Sequence, residues 1–185
     1  LRAAAPGSIQ VGIAHNVGLG VPATDSEADR AAARAMETLH IDVFHDPIFR
    51  GRYPDLDPVF PGIDTSAVRD GDLDAIAQPL DFLGINYYLP SYTQAAPEGF
   101  PATFMPADPP EPGPRTEMGW PIVPEGLTDV LVALKERYGD DLPPIHITES
   151  GVAYPDEPDA DGYVHDLDRI AYIEAHLRAV KAAID

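Results

Sequence analysis

The sequence has no cysteine in 185 residues, which excludes disulfides and thiolate metal sites and fits a reducing compartment. Cations are scarce too: 12 Lys and Arg stand against 31 Asp and Glu, a formal net charge of -19 at pH 7. Nucleic acids and anionic membranes need clustered positive charge, so neither is an expected partner. The acidic residues fall in short groups such as "DSEAD" and "DGDLD", the pattern of a solvated surface. Long hydrophobic runs are missing; no window approaches the ~18 uninterrupted apolar residues of a membrane-spanning helix. No charged segment followed by an apolar core and a cleavage site is present, and the expected location is cytoplasmic. A serine elbow, a phosphate loop and a dinucleotide fingerprint are also absent, and no cofactor is expected.

What is present is a repeated pattern. Three times a short apolar run is followed by turn residues and then by an amphipathic helix. The first run is "IQVGIAHN", Ile9 to Asn16, followed by a loop in which Thr24 and Glu27 have capping-box spacing. The helix then crosses "EADRAAARAMETLHIDVF" and is expected to stop toward Pro47. The second run is "FLGINYY", Phe82 to Tyr88. Residues 90–124, rich in Pro and Gly, follow as one long loop within a single domain. The next helix carries Leu127, Val130, Leu131, Leu134 and Tyr138 on one face and ends at Gly139. The third run is "IHIT", Ile145 to Thr148. Asp166 then caps a helix whose apolar stripe is Leu167, Ile170, Ile173, Leu177, Val180 and Ile184.

Strands alternating with helices imply parallel βαβ units, an α/β fold. Three units do not close a barrel, and the chain opens at Leu1 as though within a helix that ends near Pro6-Gly7. The expectation is an excised portion of a larger fold. A doubly wound binding domain is the alternative, and strand order separates the two: a barrel keeps the three strands in sequence.

Parallel α/β folds gather chemistry at the carboxyl ends of their strands. The residues there are His15 and Asn16, then Asn86, Tyr87 and Tyr88, then Thr148 and Glu149. Each has a plainer reading. Asn16 can satisfy turn backbone, the tyrosines can be packing residues, and Glu149 can be a solvated residue before Gly151. Alternation along the strand sends Asn86 and Tyr88 to one side and Tyr87 to the other. The remaining histidines, His40, His45, His146, His165 and His176, have no paired spacing of a metal set, and no metal is expected. Asp70, Asp72 and Asp74 lack the full pattern of a calcium loop and read as a charged approach to a helix.

The order and separation of "DFLGINYY", "RTEMGWPIVPEGL" and "PIHITESGVAYPD" resemble the second half of a family 1 glycoside hydrolase, the retaining β-glucosidases. "VGIAHN", "ATDSEADRAAARAM" and "DPIFRGRYP" extend the likeness over essentially the whole chain. The resemblance implies a partial (β/α)8 TIM barrel in which the runs are strands 5 to 7, with the first four strands and the last one absent. It implies that Glu149 is the catalytic nucleophile, that Tyr88 contacts it, and that Asn86 belongs to the same site. Trp120 corresponds to an aromatic platform for the aglycone, and Asn16 to a polar residue near it. The implied substrate is a small β-glucoside or oligosaccharide. Ser150 departs from the family signature, which has Asn there, and the Asn-Glu-Pro motif of the family's acid/base glutamate does not occur. Glu111-Pro112 and Glu157-Pro158 sit in loop-like sequence and are not substitutes. The isolated chain is therefore expected to be inactive, with the complementary part of the barrel as its partner. A non-catalytic sugar-binding or structural fragment is the alternative.

Overall fold

In the computed structural model, which describes residues 2–5 and 7–185, the three apolar runs form one parallel sheet. Its strands are β1 (Gly12–Asn16), β3 (Phe82–Asn86) and β6 (Ile145–Glu149), adjacent in that order. This sequential order is the one a barrel requires. The sheet is open, with β1 and β6 as its edges. Near the start of the chain Arg2–Ala4 form a single 3-10 turn; the helix end expected near Pro6-Gly7 involves Pro6, which lies outside the described residues.

The sheet's two faces differ in chemistry because side chains alternate along each strand. On β3, Leu83, Ile85 and Tyr87 point outward and are fully buried. They meet Leu127, Val130, Leu134 and Tyr138 of α4 (Glu125–Tyr138), with Val17, Ile41 and Ala179 completing the cluster. Gly126 is small enough to let the Tyr87 hydroxyl donate to the Val123 carbonyl at 2.7 Å. Gly139 ends α4 in a positive-φ conformation, where the expected stop lies. The inner face carries Gly84, Asn86 and Thr148, and it is largely open.

The first helix departs from expectation at both ends. α1 (Glu27–Glu37) is capped by Ser26, whose side chain accepts from the Asp29 N–H, and not by Thr24. Thr24 instead donates to the Asp29 carboxylate, which also accepts from Ala95 N–H, so Asp29 spends its oxygens tying the helix start to a strand. After a π-helical turn, Thr38–Asp42, the helix resumes as α2 (Val43–Arg50) with Pro47 inside it, and Gly51 in a left-handed conformation is the stop. A tertiary contact and a local ion pair hold the turn around Pro47: Tyr138 donates to Asp46 at 2.9 Å, and Arg50, one turn along the same helix, pairs with Asp46 at 3.1 Å. The π turn also carries the buried Asp42 to Arg137, 2.7 Å away, and to Arg34, 2.5 Å away. The acidic stretch around Asp72 becomes the short α3 (Asp72–Ile76).

Residues 90–124 are not one long loop. β4 (Ser91–Ala95) and β5 (Phe104–Pro106) join β2 (Gly20–Pro22) in a second three-stranded sheet, packed on the alanine face of α1. Gly20 makes this approach possible, because a Cβ there would meet the Ala33 carbonyl. The last helix, α5 (Leu167–Ile184), begins at Asp166, whose carboxylate pairs with Arg169 and makes no cap bond. Most of its predicted stripe faces away from the protein: Leu167, Ile170, Ile173, Leu177 and Ile184 are exposed, whereas Val180 packs against the core, and the helix is otherwise held through Tyr172, His176 and Ala179. Among the described residues no helix is long and apolar enough to cross a membrane.

Candidate active site

Register places the candidate residues side by side. Asn16 of β1 is the ladder partner of Asn86 on β3, and Asn86 is the partner of Glu149 on β6. All three stand at the carboxyl ends of their strands. The β3/β6 ladder runs Ile85 to Ile147 and then Asn86 to Glu149, so Thr148 is an extra residue, a β-bulge. The bulge sets Glu149 opposite Asn86, the place that regular register would give to Thr148.

Tyr88, two residues beyond Asn86 on the same side, donates its hydroxyl to Glu149 Oε2 at 2.6 Å. The same bond raises the pKa of Tyr88, because a phenolate would face an anion. Thr148 donates to Asn86 Oδ1, also at 2.6 Å, and so joins the residues of two strands.

Trp120 is brought to this cluster by a tight loop. Gly119 takes positive φ, Trp120 N–H donates to Thr116 Oγ1, and Arg115 donates to the Gly119 carbonyl. Glu117 N–H donates to the Ala153 carbonyl at 2.8 Å, fastening the loop to the segment after β6. The Trp120 ring meets Tyr88 edge-on, with centroids 5.7 Å apart. Between them lies a cleft of about 260 Å³ bounded also by Met118, Gly151 and Val152. Asn16 lines a different and larger cleft, of about 390 Å³, with Tyr88, His40, Tyr92 and Arg115. Tyr88 is the wall the two clefts share.

Two rim residues leave the site. Tyr87 is buried in the core, as alternation predicts. His15 points to the outer face, where its Nδ1 lies 3.2 Å from Nε2 of the buried His45. Burial pushes the His45 pKa down to about 3, with the neighbouring His15 and Arg137 adding to the effect. Spacing alone did not reveal this pair, since 30 residues separate its members. Ser150 is exposed beside Glu149, and Glu111 and Glu157 lie in irregular segments away from the strand ends. Among the described residues no group of three or more His, Asp or Glu side chains could hold a metal ion.

The model of glycosyl hydrolase family 1 matches residues 3–185. A bifunctional β-D-glucosidase/β-D-fucosidase of Bifidobacterium breve is 42% identical over 177 residues, covering 85% of this chain and 37% of its own length. The solved family 1 β-glucosidase of Thermotoga maritima superposes with a TM-score of 0.82 at 35% identity, covering 95% of this chain and 39% of that one. The same organism's β-glucosidase in complex with deoxynojirimycin superposes with a TM-score of 0.79 at 35% identity, over 95% of this chain and 38% of that one. This chain thus spans less than two-fifths of the length of these proteins.

Proposed function

Because the chain belongs to glycosyl hydrolase family 1, we propose that it is the nucleophile-bearing part of a retaining β-glucosidase, with Glu149 as the nucleophile. The observation that carries this reading is the 2.6 Å bond from Tyr88 to Glu149, at the carboxyl end of three parallel strands in barrel order. These strands are the fifth to seventh of the barrel.

The reaction follows from a carboxylate so held. Glu149 attacks the anomeric carbon; the glycosidic C–O bond breaks, and its electron pair leaves with the aglycone oxygen as a second carboxyl group protonates it. A glycosyl ester on Glu149 results. That second carboxyl, now a base, takes a proton from water, whose oxygen attacks the anomeric carbon and frees Glu149. Tyr88 aims the nucleophile through its hydrogen bond, Asn86 offers an amide to the bound sugar, and Trp120 gives an apolar face to the leaving group. Asn16 serves the aglycone side from the larger cleft. The substrate is a small β-glucoside or oligosaccharide, a reading that the deoxynojirimycin-bound relative supports.

No Asn-Glu-Pro motif supplies the second carboxyl within this sequence. The chain therefore acts with the complementary part of the barrel and is inactive alone. The unpaired edges of β1 and β6 and the exposed apolar stripe of α5 support this requirement. The second reading is a non-catalytic sugar-binding fragment of the same fold.

A nitrophenyl β-glucoside and a 2-deoxy-2-fluoro glucoside separate the readings. The expected result is no turnover by the chain alone. With the complementary segment supplied, turnover and labelling at Glu149 appear, and Glu149→Gln removes about 10⁴-fold or more of the activity. Labelling of a different residue would overturn the assignment of the nucleophile. Failure of the completed barrel to label favours the non-catalytic reading.

A further inference from the structure

Thr148 does more than precede Glu149 on its strand. Its side chain lies on the inner face with Gly84, as alternation along the strand predicts, and its hydroxyl reaches across to β3 and donates to Asn86 Oδ1 at 2.6 Å. An amide has two chemically different ends: the carbonyl accepts and the NH2 group donates. With the carbonyl turned to Thr148, the NH2 group of Asn86 must face the other way, toward the open side of the sheet end.

The packing beneath this bond is unusually specific. A Cβ on Gly84 would stand 2.9 Å from Thr148 Cγ2 and 2.9 Å from Ala14 Cβ, closer than carbon atoms approach. Gly84 therefore leaves the space in which the Thr148 methyl lies, on the strand that carries Asn86 two residues later. The methyl rests on Gly84 and the hydroxyl points at Asn86. A hydroxyl alone rotates freely, whereas a β-branched side chain seated in this way holds its rotamer.

We infer that Thr148 is a positioning residue: seated on Gly84, it orients the Asn86 amide so that its NH2 group faces the substrate of the adjacent Glu149. The inference rests on the proposed glycosidase reading for what the NH2 group meets, and on geometry alone for the orientation itself. It requires the hydroxyl of Thr148 and the carbonyl of Asn86, and it acts through Asn86.

The test uses the chain with the complementary barrel segment supplied, and it reads the rate at which a 2-deoxy-2-fluoro-β-glucosyl fluoride labels Glu149. Thr148→Val keeps the branched shape and removes the hydroxyl; it is expected to slow labelling roughly ten- to hundredfold. Thr148→Ser, which keeps the hydroxyl and loses the seated methyl, restores the rate only in part. In an Asn86→Ala background Thr148→Val costs nothing further, which a general structural defect would not produce. Labelling by Thr148→Val at the unsubstituted rate, or a full additional loss in the Asn86→Ala background, would overturn the inference. If the unsubstituted protein is not labelled at Glu149, the glycosidase reading fails, and the side-chain NH2 resonances of Asn86 in the chain decide the orientation. They are expected to move in Thr148→Val and to return part of the way in Thr148→Ser. Resonances unmoved by Thr148→Val would sink the inference by that route.

Discussion

α4 and α5 are both amphipathic and both follow strands of the parallel sheet, yet they use their apolar faces in opposite ways. In α4 the stripe Leu127, Val130, Leu134 and Tyr138 is buried against β3, and each residue is at most 4% exposed. In α5 Leu167, Ile170, Leu177 and Ile184 are 71%, 59%, 65% and 78% exposed. That helix is instead held by Tyr172, His176, Ala179 and a bond from Thr128 to the Ala179 carbonyl. A 3.6-residue period states that a face will be covered and is silent about what covers it. α4 finds its cover in β3; α5 packs on α4, and among the described residues no further strand pairs with the outer edge of β6. Its small apolar groove against β6, lined by Leu131, Ile145, Ile147 and Ile184, is the corresponding gap.

The strongest break of this contrast is made on α4. Leu134→Ala removes a side chain that is 1% exposed and leaves a cavity between α4 and β3, at a cost of about 3 kcal/mol. Urea denaturation of the full chain measures it as a fall in midpoint at constant slope. A change below about 1 kcal/mol would mean that α4 is not anchored as described.

A smaller effect reads the same helix through pH. His45 packs edge-on against Tyr138, the last residue of α4, with ring centroids 5.9 Å apart, and its pKa falls from 6.5 to about 3 on burial. Above about pH 6.5 both folded and unfolded chains hold this imidazole neutral, and stability is unaffected. Below that value the unfolded chain takes a proton that the folded one refuses, so stability falls as pH drops from about 6.5 toward 3. The loss between pH 6.5 and 5 is about 2 kcal/mol, and His45→Gln flattens this part of the curve. On the α5 side, burial also lowers the pKa of His176, but a bond to the Tyr172 carbonyl opposes the shift and makes the dependence weaker. Equal slopes for His45→Gln and the unsubstituted chain would remove His45 as the acid-sensitive group.

What was legible in the sequence follows the same division. β3 and α4 were predictable because apolar period and partner agree, each burying the face its pattern marks; β1 and β6 are edge strands without a fully buried residue, and their apolar runs mark them as strands through pairing with β3. Asn86, Tyr88 and Glu149 could be placed together because alternation and the carboxyl ends of parallel strands are rules of backbone geometry. The second sheet was not legible, since β2 and β5 are three residues long and β4 sits amid Pro and Gly, so pairing rather than propensity makes them strands. Ser26 replaced Thr24 as the cap because Asp29 commits its carboxylate to Thr24 and Ala95, a choice visible only once β4 is in place. The bulge at Thr148 is a one-residue slip in register with no signature in residue type. It is nevertheless what sets Glu149 opposite Asn86.

The smallest effect is the most informative about α5. Leu177→Ala on the isolated chain removes a side chain that is already 65% exposed, so stability should change by no more than about 0.5 kcal/mol. The same substitution matters if the stripe is covered by the complementary barrel segment, because burial of that leucine then belongs to the association and not to the folding of this chain. Titrating the complementary segment against unsubstituted and Leu177→Ala chains should therefore show a weaker complex, by roughly tenfold or more, for the variant whose own stability is unchanged. A Leu177→Ala chain that loses as much stability as Leu134→Ala would show that α5 already packs through its stripe. One that binds the segment with unchanged affinity would show that a different surface meets it.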